Sequence, residues 1–403
     1  MRVSTRFLRA IPFLLLASTA LAQDSTRAPW SYEQVQSGRL GAQRTYYVAT
    51  PDGYERGAAR YPVLVLLDAN DSPQFNLALA NARFLASRGA IPPVIIVGVP
   101  NASDRIHDLS PVATGETATR FRTAGGSTVF ADFIADEVLP AVRRKYRTLP
   151  STILAGHSIG GLFALEVAAR RPGAYAGIIA MSPSLWWNDS SVVADYADAI
   201  AKSSARQRLF VTSGGLEPEI DRTTQRFARR LEANQPATVA LAYRHYANDT
   251  HGLTPAPSLA DGLRFIFEPV SMSKLPLGAL HAGVDSATVV RALLESEAQY
   301  RDGARYFGLP ESLPESELNS LGYTVLQELN NPSLAIWVFA RNVALYPAST
   351  NAYDSLGDGY LAKGDTAEAK AQFRKSIEVA RRAGVPPQEE TVTKLARLER
   401  GTK

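Results

Sequence analysis

Ser158 stands in Gly156-His157-Ser158-Ile159-Gly160-Gly161, between the apolar run Thr152–Ala155 and a helix-like run from Leu162 to Arg170. A sharp turn between strand and helix would lift the serine hydroxyl out of the sheet and present it as a nucleophile. The small residues flanking it fit such a turn. G-x-S-x-G also occurs by chance in ordinary Gly/Ser loops, so the remaining residues must decide. An activated serine needs a base to take its proton and an acid to orient that base.

The chain holds five histidines. In doubly wound enzymes with a serine on such a turn, the chain order is serine, acid, histidine, the histidine following the last strand. His107 precedes Ser158, His157 adjoins it, and His281 lies in a segment without helical or strand periodicity. His245 falls inside the strand-like run Val239–Tyr246, whereas His251 follows that run and precedes a helix. His251 therefore takes the place of the base. The acid belongs after the run Arg208–Ser213, where Glu217, Glu219 and Asp221 compete. Glu217 comes first after Gly214-Gly215 and is preferred; Asp221 is second and Asp249 third. Glu219 and Asp221 also suit the first turn of a helix, where the dipole favours acids. The oxyanion formed on attack needs two backbone N–H donors. Ile159 would supply one, and Ala69 or Asn70, after the run Pro62–Leu67, the other.

Further residues collect at the carboxyl ends of strand-like runs. Trp186 and Trp187 are placed either to line a substrate pocket or to fill the core. Arg105 and Asp108 read as a structural ion pair. The histidines show no metal-ligand spacing, and no cofactor is implied. No long helical insertion separates Ser158 from His251, which argues against a large lid.

These residues need a scaffold. Strand-like runs at 44–50, 62–69, 93–99, 152–155, 177–182, 208–213 and 239–246 alternate with helical periodicity at 75–87, 128–146, 161–171, 222–233 and 258–267. Continuous apolar runs such as Val63-Leu64-Val65-Leu66-Leu67 mark strands buried on both faces. The expectation is an α/β fold, a doubly wound parallel sheet, over residues 23–268. Residues 269–284 lose the alternation and read as a linker; 285–403 read as helix only, a small all-α domain.

Composition bounds the partners. At 45% hydrophobic and 20% charged residues the chain reads as globular, and its net charge of +4 includes Arg2, Arg6 and Arg9 ahead of the first apolar run. The remainder is close to neutral, which gives no reason to expect nucleic acid or an anionic membrane as partner. The apolar run Ala10–Leu16 is too short to span a bilayer. With Ala20-Leu21-Ala22 behind it, residues 1–22 read as a secretory signal, which predicts a periplasmic or secreted protein with no membrane span after cleavage. The absence of cysteine removes disulfides, thiolate metal sites and a cysteine nucleophile.

Two resemblances follow. YPVLVLLDAN, IPPVIIVGVPNASDRIHDLSP, GHSIGG, MSPSLWW and DTHGLTPAPSLADGLRFIF together resemble the bacterial esterase family that includes enterochelin-type siderophore esterases, feruloyl esterases, S-formylglutathione hydrolases and mycolyltransferases. The likeness covers about residues 35–268. It implies an α/β-hydrolase with Ser158 as nucleophile and His251 as base; the acid varies in that family, some members using serine and histidine alone. In the tail, Ser320-Leu321-Gly322 matches Ser355-Leu356-Gly357 and Ala335…Phe339 matches Ala369…Phe373, a period of about 34 residues that resembles tetratricopeptide repeats. Such repeats, capped by the helices 287–306 and 390–399, would bind a protein or pair two chains. The expectation is an exported serine hydrolase acting on small-molecule esters of siderophore or feruloyl type. Acyl transfer to an alcohol uses the same residues, and an inactive scaffold built on the repeats is the rival from another class.

Overall fold

Period-two alternation within the central strands sets the architecture in the computed structural model, which describes residues 29–101, 104–279 and 284–401. The expected signal segment and His281 lie outside the described residues. Eight strands form one sheet: β1 (Ser31–Ser37), β2 (Ala42–Ala49), β3 (Tyr61–Leu67), β4 (Ile95–Val99), β5 (Thr148–His157), β6 (Gly177–Met181), β7 (Gln207–Gly214) and β8 (Val239–Tyr246). Their order is β1-β2-β4-β3-β5-β6-β7-β8. β1 and β2 are antiparallel to their neighbours and the six strands from β3 to β8 are parallel. The chain therefore winds out from the centre in both directions, as a doubly wound sheet does.

Val63, Val65 and Leu67 of β3 point into one core, and Leu64 and Leu66 into the other. Both sets are fully buried, which is why the run shows no polar positions. On the first face lie α2 (Arg105–Leu109), α4 (Ser127–Phe133), α5 (Leu139–Lys145), α6 (Ile159–Arg170), α7 (Ser191–Ala201) and α8 (Pro218–Glu232), after α1 (Ser72–Ser87) on the opposite face and beside the short α3 (Gly115–Arg120). The second face carries α1 and α9 (Pro255–Ile266), through Phe75, Leu79, Leu259 and Leu263. One π-helical turn, Ile134–Val138, joins α4 to α5.

The tail is helical throughout its described length: α10 (Ser286–Phe307), α11 (Glu315–Gln327), α12 (Pro332–Leu345), α13 (Thr350–Lys363), α14 (Thr366–Arg382) and α15 (Glu389–Glu399). Asp285 caps α10, accepting from the Thr288 N–H at 2.7 Å, and Gly308 closes it with a left-handed φ of 68°. α11–α12 and α13–α14 are equivalent hairpins. A methyl group on Gly322 would collide with the Phe339 ring, and one on Gly357 with the Phe373 ring, so the matched glycines let the matched phenylalanines close the two hairpins.

The expected linker is not a tether. Residues 268–279 form three 3-10 turns, and Val270 and Leu275 are buried. Val289, Leu293, Tyr300, Ala304 and Phe307 of α10 enter the same core as Leu64, Ile153 and Ile179 of the sheet, and that core continues into Val325 and Phe339. Ser151 Oγ of β5 donates to the Phe307 carbonyl at 2.7 Å, and Tyr306 Oη to the Ala176 carbonyl at 2.5 Å. Architecture changes near residue 285, but the core does not break there. The missed reason is physical: α9 covers only part of the second face, and the apolar stripe of α10 covers more of it.

Candidate active site

β5 ends at His157 and α6 begins at Ile159, so Ser158 alone makes the turn, with φ 60° and ψ −117°. A non-glycine residue held there costs about 1–3 kcal/mol and persists only where its surroundings fix it. The motif glycines explain the fit. A methyl group on Gly156 would lie 2.3 Å from the Gly160 carbonyl oxygen, and one on Gly161 3.1 Å from that of Met181. Ser158 N–H donates to the Met181 carbonyl (2.9 Å) and Ser184 N–H to the Ser158 carbonyl (3.1 Å), tying the turn to the end of β6. The hydroxyl of Ser158 is 3.3 Å from that of Ser184.

The loops after β7 and β8 bring the other two groups together. His251 Nδ1 is 2.6 Å from Glu217 Oε2. Glu217 Oε1 accepts from the Gly214 N–H and from Ser182 Oγ (2.5 Å), so each carboxylate oxygen has its own donors. Burial raises the Glu217 pKa, but the hydrogen bonds from His251, Ser182 and Gly214 outweigh it and hold the carboxyl below its ordinary value. Glu217 is nearly buried while the His251 ring keeps 37% of its side chain exposed. An ionised acid on Nδ1 fixes the tautomer that leaves Nε2 free to accept a proton. No hydrogen bond links Ser158 Oγ to His251 among the described residues; such contacts commonly tighten only when substrate is bound.

His157 has a part that sequence reasoning missed. Its Nε2 donates to the His251 carbonyl at 2.9 Å, and the two rings lie 4.4 Å apart. Burial, aided by repulsion from His251, pushes its pKa down to about 4, so the ring is a neutral donor. Ser182 and Ser184 were also missed. Their only signal is that short polar residues follow the strand beside the turn, in Met181-Ser182-Pro183-Ser184.

The other expected residues divide. Ile159 N–H has no hydrogen-bond partner among the described residues, as the first turn of a helix allows. Ala69 N–H, in contrast, donates to the Val99 carbonyl at 3.3 Å, because the chain leaving β3 is still aligned with β4. Asn70 N–H has no such partner among the described residues, while its Oδ1 accepts from the Asn101 N–H at 3.2 Å. Trp187 is fully buried and stacks on Phe121 at 5.1 Å, so it is a core residue, not a pocket wall. Trp186 is half-buried, with Arg120 5.8 Å above its ring. The expected Arg105–Asp108 pair does not form. Arg105 binds Asp68 through Nε (2.5 Å) and Nη2 (2.8 Å) and also reaches the His157 carbonyl (3.1 Å). Asp108 pairs with Arg44 at 3.2 Å, because α2 turns residues 105 and 108 toward different strands. Asp221, the second candidate acid, pairs with His245. No group of three or more potential metal ligands occurs among the described residues.

The family model described as "Putative esterase" matches residues 37–254, more than half of the chain. The chain belongs to this esterase family. It is 34% identical over 148 residues to the siderophore triacetylfusarinine C esterase of Aspergillus fumigatus, covering 34% of this chain and 49% of that protein. It is 27% identical over 235 residues to the ferri-bacillibactin esterase of Bacillus subtilis, covering 52% of this chain and 80% of that protein. The chain thus spans about half the length of the first of these relatives. Among solved structures, an IroE-like serine hydrolase from Shewanella oneidensis superposes with a TM-score of 0.64 at 25% identity, over 78% of this chain and 99% of the other. Among the described residues no helix is long and apolar enough to cross a membrane.

Proposed function

We propose that this chain is an exported serine hydrolase that cleaves carboxylic esters through an acyl-enzyme on Ser158. The observation that carries the reading is the 2.6 Å His251–Glu217 bond, with the His251 ring 4.4 Å from that of His157, the residue before a serine held at φ 60° on the strand-to-helix turn. His251 Nε2 takes the Ser158 proton as Oγ attacks the acyl carbon, and Glu217 stabilises the imidazolium. The Ile159 and Asn70 N–H groups receive the oxyanion. His251 then protonates the departing alcohol, and water attacks the acyl-enzyme by the same route in reverse.

The substrate class is a siderophore ester. Support comes from the two relatives described above as siderophore esterases. Trp186, with Arg120 over its ring, adds a wall suited to an aromatic or anionic acyl group. The paired hairpins α11–α12 and α13–α14 act as tetratricopeptide-like units for a protein partner or a second copy. Residues 1–22 direct export, and N-terminal sequencing of exported protein should begin at Gln23.

The test is a panel of a ferric siderophore ester, a feruloyl ester and p-nitrophenyl acetate, with fluorophosphonate labelling alongside. The siderophore should give the highest kcat/KM, and the label should be lost in S158A. Preference for the feruloyl ester would overturn the substrate class. Absence of labelling in the parent would make the chain an inactive scaffold.

A further inference from the structure

A cavity of about 830 Å³ opens at the far end of the sheet from Ser158, between the starts of β3 and β5 and the helical tail. Tyr61 and Leu149 line it from the sheet, and Tyr300, Leu309 and Glu317 from the tail; Arg60 stands at the rim. It lies within the size range of small-molecule sites, and junctions between structural units are where such sites concentrate.

Two polar groups on its wall are left without a protein partner among the described residues. Tyr300 is 5% exposed as a residue and lines this cavity, and its hydroxyl makes no hydrogen bond to protein among the described residues. A tyrosine presents an apolar ring with a polar tip, so a hydroxyl left open to a cavity can serve a ligand. Its neighbour Tyr346, by contrast, donates to the Leu313 carbonyl at 2.6 Å. The half-buried Glu317 forms no ion pair or side-chain hydrogen bond among the described residues, and its carboxylate lies 3.7 Å from where a methyl group on Gly89 would sit. Burial alone raises its pKa. Among the described residues Arg60 makes no ion pair with it; its guanidinium donates to the Thr148 carbonyl at 3.3 Å. An unpaired carboxylate, an unpaired hydroxyl donor and a cation thus line one largely apolar space without pairing with one another.

We propose that this cavity binds a short apolar peptide, its ammonium at Glu317, a carbonyl at the Tyr300 hydroxyl and its carboxylate at Arg60. Peptides of this kind carry the three complementary groups on an apolar body, whereas a simple amine would leave Arg60 unmatched and a fatty acid would leave Glu317 unmatched. The site is distinct from Ser158 and does not depend on the ester-hydrolase reading.

Calorimetric titration of the dipeptide Phe-Leu into the full-length S158A protein tests this. Binding with a dissociation constant on the order of 100 μM is expected. Y300F and E317Q should each weaken it about tenfold, as loss of one buried hydrogen bond or charge contact does. N-acetyl-Phe-Leu should bind as weakly as Phe-Leu binds E317Q, and E317Q should weaken it no further. R60Q should weaken Phe-Leu but not its C-terminal amide. If Y300F does not fold, E317Q and the acetylated peptide decide alone. No heat of binding up to about 10 mM peptide, binding unchanged in both E317Q and Y300F, or displacement of the peptide by an ester substrate would each overturn the proposal.

Discussion

His251 with Glu217 and His245 with Asp221 are two histidine–carboxylate pairs built from the loops and ends of β7 and β8, and each has serines nearby. Exposure does not separate them: the histidine side chains are 37% and 38% exposed. The wiring does. Around Glu217 one oxygen is held by Gly214 and Ser182 and the other is left to His251, while the nucleophile candidate Ser158 sits apart on its own turn. Around Asp221 a single oxygen accepts from Ser213 (2.6 Å), Tyr243 (2.9 Å) and His245 (3.0 Å). There the serine hydroxyl donates to the carboxylate itself. A triad needs its serine one step removed from its acid; the same residues gathered on one acceptor make a structural knot.

Six substitutions press on that contrast. The largest effect is expected for Ser158→Ala, a fall in ester turnover of roughly 10⁴-fold or more with the fold retained. His251→Ala should come close to it, since residues acting as a unit are not additive. Glu217→Gln should cost less, about one to two orders of magnitude below the Ser158 loss, because the histidine keeps its place but not its charge partner. Steady-state kinetics on p-nitrophenyl acetate rank all three; parental turnover in Glu217→Gln would break the distinction between the pairs.

The next effect is on stability. His157 has a pKa near 4 in the fold and about 6.5 when unfolded. Between those values the unfolded chain binds more protons, so stability is full above about pH 6.5 and declines as pH falls toward 4. His157→Gln should flatten this part of the curve, read from urea midpoints at a series of pH values. The smallest effect belongs to the decoy: His245→Gln and Asp221→Asn should keep turnover within about twofold of the parent, as surface changes away from a site do.

The order of residues along the chain made much of this legible. Gly156 and Gly160 around Ser158 fit a close approach that the structure shows, and the position of His251 after the last strand is what singles it out from His245 as the expected base. Continuous apolar runs gave the central parallel strands. β1 was missed because Ser31–Ser37 alternates polar and half-buried residues on an edge, where no two-faced burial marks it. Ser182, Ser184 and the role of His157 could not be read, since each depends on which strand end lies next to which. The Arg105–Asp108 pairing failed for the same reason: spacing along a helix says which residues share a face, not which strand that face meets. Loss of periodicity from residue 269 reports a change in element type, and says nothing about whether the core continues beneath it, as it does at Val270 and Leu275.

The bond between Ser151 and the Phe307 carbonyl has a thermal consequence. Ser151 lies in the strand that leads into Ser158, about 23 Å away along an extended chain. The last turn of α10 is therefore clamped to the same strand that presents Ser158. Heating should not melt the tail first and leave a working hydrolase behind. Helical ellipticity and ester turnover should disappear together, at one temperature and with one cooperative slope.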